Sequence, residues 1–131
     1  MPNLSAHAPS ALAALRIVAG LLFLAHGVQK LLGFPPSDRG TVELASLMGV
    51  AGILELVGGA LIVLGLFTRP TAFVLSGQMA VAYWMAHAPQ SPYPIANGGD
   101  AAILYCFIFL YLVFAGPGRW ALDDALGRRG N

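Results

Sequence analysis

The sequence predicts an all-α fold: an antiparallel bundle of four transmembrane helices with its N- and C-termini in the cytoplasm. Three observations predict it. The 131-residue chain is 57% hydrophobic and only 10% charged, with a mean hydropathy of +0.72, whereas average soluble domains carry about 25% charge. Its apolar stretches are separated by short breakers rich in Pro and Gly. Glu55 lies eleven residues from either end of the apolar stretch Leu44–Leu66. A carboxylate at that depth is costly unless protonated or partnered, so it marks a bundle interior or a cavity rather than a lipid face.

The elements follow in order. The first helix is expected over about residues 12–32, containing Arg16, His26, Gln29 and Lys30 and ending at Gly33-Phe34-Pro35-Pro36. Proline lacks the amide that a helix needs and stops it there. The second, residues 44–66, is long enough to cross a bilayer, which takes about 20 residues. The link Thr68-Arg69-Pro70 allows only an antiparallel return. The third runs over 70–88, with Pro70 suited to a first turn. The fourth, about 100–115, is short at roughly 24 Å, and leans on Trp120 or on bilayer thinning. By length, residues 1–131 form a single domain.

Basic residues set the expected orientation. Arg16, Arg69, Arg119, Arg128 and Arg129 fall on the side of the termini, against Lys30 and Arg39 on the other. Five against two places both ends in the cytoplasm. Arg16 reads as an interfacial anchor there, and Asp123-Asp124 with Arg128-Arg129 as a solvated charge cluster.

The net charge of +1 and the lack of a basic run exclude a nucleic-acid partner. Cys106 stands alone, which excludes an intrachain disulfide and a Cys-ligated zinc. Residues 1–15 carry no Lys or Arg, unlike a cleaved signal peptide. No phosphate loop, dinucleotide fingerprint or nucleophile elbow is present.

Given that orientation, depth follows from the helical rise. Lys30 lies about 3 Å from the outer end, Tyr83 about 8 Å, His26 about 9 Å, Gln78 about 15 Å and Glu55 about 16 Å. His87 and Asp100 sit at the outer boundary. All four helices thus bring hydrogen-bonding groups to the outer half. Each residue has a plainer reading too. Lys30 snorkels to headgroups, Gln78 is interhelical glue, His26 bonds a neighbouring carbonyl, and Asp100 caps a helix beginning near Asn97-Gly98. His26 and His87 differ by about 8 Å in depth, which disfavours bis-histidine haem, and no ligand spacing points to a metal.

Several motifs then resemble the DoxX family. Arg16 to Gly33, with His26-Gly27-Val28-Gln29-Lys30, is similar to that family's first helix, and Glu55-Leu56-Val57-Gly58-Gly59 through Thr68-Arg69 to its second. His87-Ala88-Pro89, Pro94 to Asp100, and Gly116-Pro117-Gly118-Arg119-Trp120 resemble its third loop and closing motif. The resemblance covers about residues 12–124 and departs at Asp100, where the family more often carries glutamate. It implies a four-helix protein of the bacterial inner membrane, of a family linked with quinol oxidation and with resistance to oxidants, thiols and quinones, often in complexes. Its motif residues transfer as His26, Gln29, Lys30, Glu55, Arg69, His87, Asn97 and Asp100.

The leading functional expectation is a quinone-linked redox protein or oxidoreductase-complex subunit. Glu55, His26 and Lys30 would carry the proton chemistry. Gln29, Gln78, Tyr83, His87, Asn97 and Asp100 would bind the quinone, and no metal is involved. The alternatives are a module that binds or transports a small solute or lipid, and a structural subunit of a larger membrane complex. Expected partners are the bilayer and either a membrane or redox protein or a second copy. Because helical side chains lean toward the helix N-terminus, His26 leans inward and Glu55 outward. Glu55 is therefore expected to meet the His26 face of the first helix, with Gln78 level with it. Asp100 is expected beside His87 and Lys30 at the outer mouth.

Overall fold

A computed structural model describes residues 2–129, and side chains through residue 127. The described residues form helices joined by short links, with no strand among them. After a 3₁₀ turn at Leu4–His7, α1 spans Ala8–Leu32. It starts earlier than expected because Pro9 is tolerated in a first turn, whose amides lack intrahelical partners anyway. It ends where Gly33 takes a left-handed conformation, φ 71°, and its N–H reaches Gln29 O.

The second helix, α2, spans Leu47–Leu64, shorter at both ends than the apolar run. Ser46 caps it, its hydroxyl accepting from the Gly49 N–H at 3.0 Å. Left-handed Gly65 ends it. After a three-residue link, α3 spans Thr68–Ala82 and widens into a π-helical turn, Tyr83–His87, then a 3₁₀ turn, Ala88–Gln90. The third rod therefore keeps its expected length but loses regularity near its end. A single turn, α4 (Pro94–Asn97), precedes α5 (Asp100–Ala115), and α6 (Leu122–Arg129) closes the chain.

Packing joins α1 to α2 and α3 to α5, while the two pairs meet each other less extensively. The α1–α2 crossing is close because of glycine. A Cβ on Gly27 would sit 2.5 Å from Leu56 N, and one on Gly59 2.7 Å from Leu24 N. Between the pairs lies a core containing Phe23, Ile62, Leu75, Phe109 and Leu112. Phe23 meets Phe109 edge-on at 5.0 Å.

Polarity is inverted relative to a water-soluble bundle. Large apolar side chains such as Leu21, Leu22, Phe73, Phe107 and Phe114 point outward, while Arg16, Glu55, Thr68, Ser76 and Asn97 are buried. Lipid is the solvent that rewards this arrangement. By length and composition, two helical segments are apolar enough to span a bilayer, Leu4–Leu32 and Leu47–Leu64. The third rod and α5 are shorter.

Candidate functional site

The site grows from three rods. Glu55 lies mid-way along α2, only 2% exposed. Lys30 comes from the last turn of α1, and its Nζ lies 2.7 and 2.9 Å from the two Glu55 carboxylate oxygens. Gln78 on α3 donates from Nε2 to Glu55 Oε1 at 3.3 Å and to Ala51 O at 3.4 Å. The lysine does not snorkel outward. Its long stem follows the inward lean of α1, and Glu55 leans to meet it.

Glu55 therefore meets the expected face of α1, but through Lys30 rather than His26. His26, one turn earlier on that face, is exposed and stands with its ring 6.3 Å from that of Tyr105. Nothing ties it to the carboxylate.

These groups floor a cavity of about 840 Å³ between the two helix pairs. Its walls are mainly apolar, including Phe23, Leu54, Met79 and Ala102, with His26, His87, Arg39 and Tyr105 adding polar edges. A bidentate ammonium–carboxylate pair is the dominant charge feature there. Removing either member would leave the other in a poorly solvated wall.

Four expected contacts do not line this cavity. Gln29 instead donates to Pro35 O at 3.2 Å, fastening the loop after α1. Asn97 organises the segment before α5: its Nδ2 reaches Tyr83 Oη (3.2 Å) and Ser91 O (3.0 Å), and its Oδ1 accepts from Gly99 N at 2.8 Å. Tyr83 belongs to that same cluster, stacked on His87. His87 does reach the cavity wall; its Nδ1 donates to Asn97 O at 3.1 Å, which leaves Nε2 free to face a ligand. Asp100 is exposed and bonds to neither His87 nor Lys30. The reason is helical phase: Ala101 and Ala102 face the cavity, and the residue before them turns away.

Two contributors escaped the sequence reading. Tyr105 sits in an apolar run indistinguishable from lipid-facing sequence, and Arg39 had no signal beyond a loop charge. A further surprise lies at the opposite end of the bundle. Arg16 is no interfacial anchor: it is fully buried and donates to the carbonyls of Pro117, Arg119 and Trp120. Asp123 is not a solvated charge either. Its carboxylate accepts the Phe67 and Thr68 amides at 2.7 and 2.9 Å, capping α3 from a distant part of the chain. Partial burial alone would raise its pKa, but the two amides, the Thr68 side chain and the nearby Arg16 charge together outweigh it and hold the carboxyl below its usual range. Arg69 completes the closure on the last carbonyls of α5, Val113 O and Phe114 O. The side chains of Arg128 and Arg129 lie outside the described residues.

The DoxX family profile matches residues 11–88. The chain belongs to the DoxX family. Among DoxX-like relatives, an uncharacterized protein of Haemophilus influenzae is 48% identical over 130 residues, covering 95% of this chain and 96% of the other. The inner membrane protein YphA of Escherichia coli is 32% identical over 124 residues, 82% of this chain and 84% of its own. CatD of Bacillus subtilis, named as an oxidoreductase, is 38% identical over 58 residues, 42% and 43% of the two chains. No solved structure matches this chain significantly. Membership makes this a membrane protein and gives its outward apolar faces a lipid setting.

Proposed function

We propose that this protein is a four-span subunit of the bacterial inner membrane, built as a single domain with both termini cytoplasmic. In this reading it binds a lipophilic quinone in the cavity floored by Lys30, Glu55 and Gln78 and serves a quinone-linked oxidoreductase complex. One observation carries the reading: a paired ammonium and carboxylate, with an amide beside them, floor a cavity whose walls are otherwise apolar. A quinone matches that division, since its ring and tail are apolar and its two carbonyls accept hydrogen bonds. Apolar walls favour such a ligand over a water-soluble solute, which is the weakness of the transport alternative.

Reducing a quinone to a quinol takes two electrons and two protons. The electrons would come from a partner redox protein, for which the redox name of the partial relative CatD is the available hint. The protons suit residues of this chain. The Lys30 ammonium can hand one proton to a ligand oxygen and be reprotonated from water at the exposed mouth of the cavity, with Glu55 holding the charge meanwhile. His87 or His26 can pass in the second proton from the same water.

The test is chemical. Protein purified in nanodiscs would be extracted and its bound lipophiles identified by mass spectrometry, then titrated with a short-chain ubiquinone analogue. The reading expects one bound quinone per cavity, lost in Glu55→Ala and largely kept in Glu55→Gln. Saturable binding that is identical in Glu55→Ala, or no quinone binding at all, overturns it.

A further inference from the structure

We infer that the cavity is loaded sideways from the bilayer, through a slot between α2 and α3 that passes over Gly77. This deepens the proposed reading and rests on its four-span arrangement. Two facing stripes line the slot. On α2 they are Leu47, Val50, Ala51 and Leu54; on α3 they are Val74, Gly77, Gln78 and Val81. Both follow the i, i+3, i+4, i+7 spacing of a single helical face. The two helices touch lower down, where a Cβ on Gly58 would lie 2.8 Å from Leu75 Cδ2. Above that contact Gln78 reaches across to Ala51 O. On either side of that bridge Val50, Val74, Gly77 and Val81 are exposed although each lines the cavity.

A residue that both lines a cavity and is exposed marks an opening: Arg39, Gln90 and Gly98 mark one at the end of the bundle, and these four mark a second, lateral one. Depth says where this opening leads. The rod Thr68–His87 is about 30 Å long, close to the hydrocarbon thickness, and Gly77 lies about 14 Å along it. An opening near the midplane with valines on its rim faces acyl chains rather than water. The space beside Gly77 is open: a Cβ there would meet nothing within 4 Å. The ligand class follows, namely a bilayer-dissolved lipophile whose polar head passes the slot to reach Lys30 and Glu55. A solute arriving from water has no use for this route.

The experiment has two readouts. Gly77→Cys, in a Cys106→Ser background and in nanodiscs, is labelled with a fluorophore and quenched with either acyl-brominated phospholipid or aqueous iodide. Quenching by brominated lipid and not by iodide is expected; the reverse overturns the lateral opening. Gly77→Trp then fills the slot. It should slow association of the ubiquinone analogue at least about tenfold while the circular dichroism stays that of the wild type. Association as fast as in the wild type overturns the route. If the wild type binds no quinone, the quinone reading falls, while quenching at Gly77 still decides whether the opening faces lipid.

Discussion

Lys30→Met should destabilise this protein more than Glu55→Gln does, although the two substitutions break the same ion pair. The difference lies in what each leaves behind. The Glu55 side chain is 3% exposed and that of Lys30 25%. Stranding one member of a buried pair costs about 3–5 kcal/mol. For Glu55 stranded by Lys30→Met, the Gln78 amide still donates to one carboxylate oxygen and offsets part of that cost. A loss of about 2–4 kcal/mol is therefore expected. In Glu55→Gln the stranded group is the lysine, whose partial exposure lets its ammonium swing toward the cavity mouth and rehydrate. The new amide also keeps a carbonyl for Gln78. About 1–2 kcal/mol is expected there, near the cost of one charged hydrogen bond. Lys30→Met with Glu55→Leu should recover much of the loss, because an apolar pair of similar volume leaves no charge to solvate. Unfolding titrations at pH 7 in mixed micelles, followed by circular dichroism, measure all three. Equal losses in the two single variants, or a double variant as unstable as the sum of singles, would falsify the buried-pair reasoning.

Other parts of the structure give equally direct tests. Gly27→Ala should cost about 1–3 kcal/mol through overpacking against the Leu56 backbone, whereas Gly77→Ala should be neutral or stabilising by up to about 1 kcal/mol; the same titrations compare them. Asp123→Ala should cost about 1 kcal/mol at neutral pH through loss of the α3 cap. Because the folded carboxyl lies below its unfolded value, the cap's contribution is present above pH ~4 and fades as pH falls further. Melts from pH 7 to 3 should show this fading in the wild type and not in the variant. Alkaline phosphatase fused after Ser91 should be active and after Arg119 silent; the opposite pattern reverses the proposed orientation. Asp100→Asn, exposed and outside the cavity, should bind the ubiquinone analogue as the wild type does.

How much of this was readable in advance depends on the range of the physics involved. The helical rods and their breakers came from local rules: Gly33 and Gly65 end helices because each takes a left-handed conformation, and both glycines stand out in the sequence. The burial of Glu55 was readable because a carboxylate deep in an apolar run has few affordable settings. The tilt of side chains toward helix N-termini brought α1 and α2 together at the right face. It did not choose between His26 and Lys30, since both occupy that face and the choice turns on side-chain reach. The π-helical turn at Tyr83–His87 left no local signature, yet it is the segment that turns His87 toward the cavity.

The closed end was misread for a related reason. Arg16, Arg69 and Asp123 each look like surface charges when judged by their sequence neighbours. Their partners are backbone groups brought in from distant segments: Asp123 serves amides at the start of α3, 55 residues away or more, Arg69 serves the last carbonyls of α5, and Arg16 serves carbonyls of the link between α5 and α6, more than a hundred residues away. Buried backbone groups left without partners are expensive, so a charge that binds them becomes structural. The bundle therefore uses its polar residues in two ways. At the closed end, charges satisfy backbone and lock four segments together, which leaves them no freedom to meet a ligand. At the cavity floor, Lys30, Glu55 and Gln78 chiefly satisfy one another. Polar groups whose partners are side chains can exchange them for a ligand without unfolding a helix end, and that difference is what marks the cavity floor, not the closed end, as the place where binding chemistry can occur.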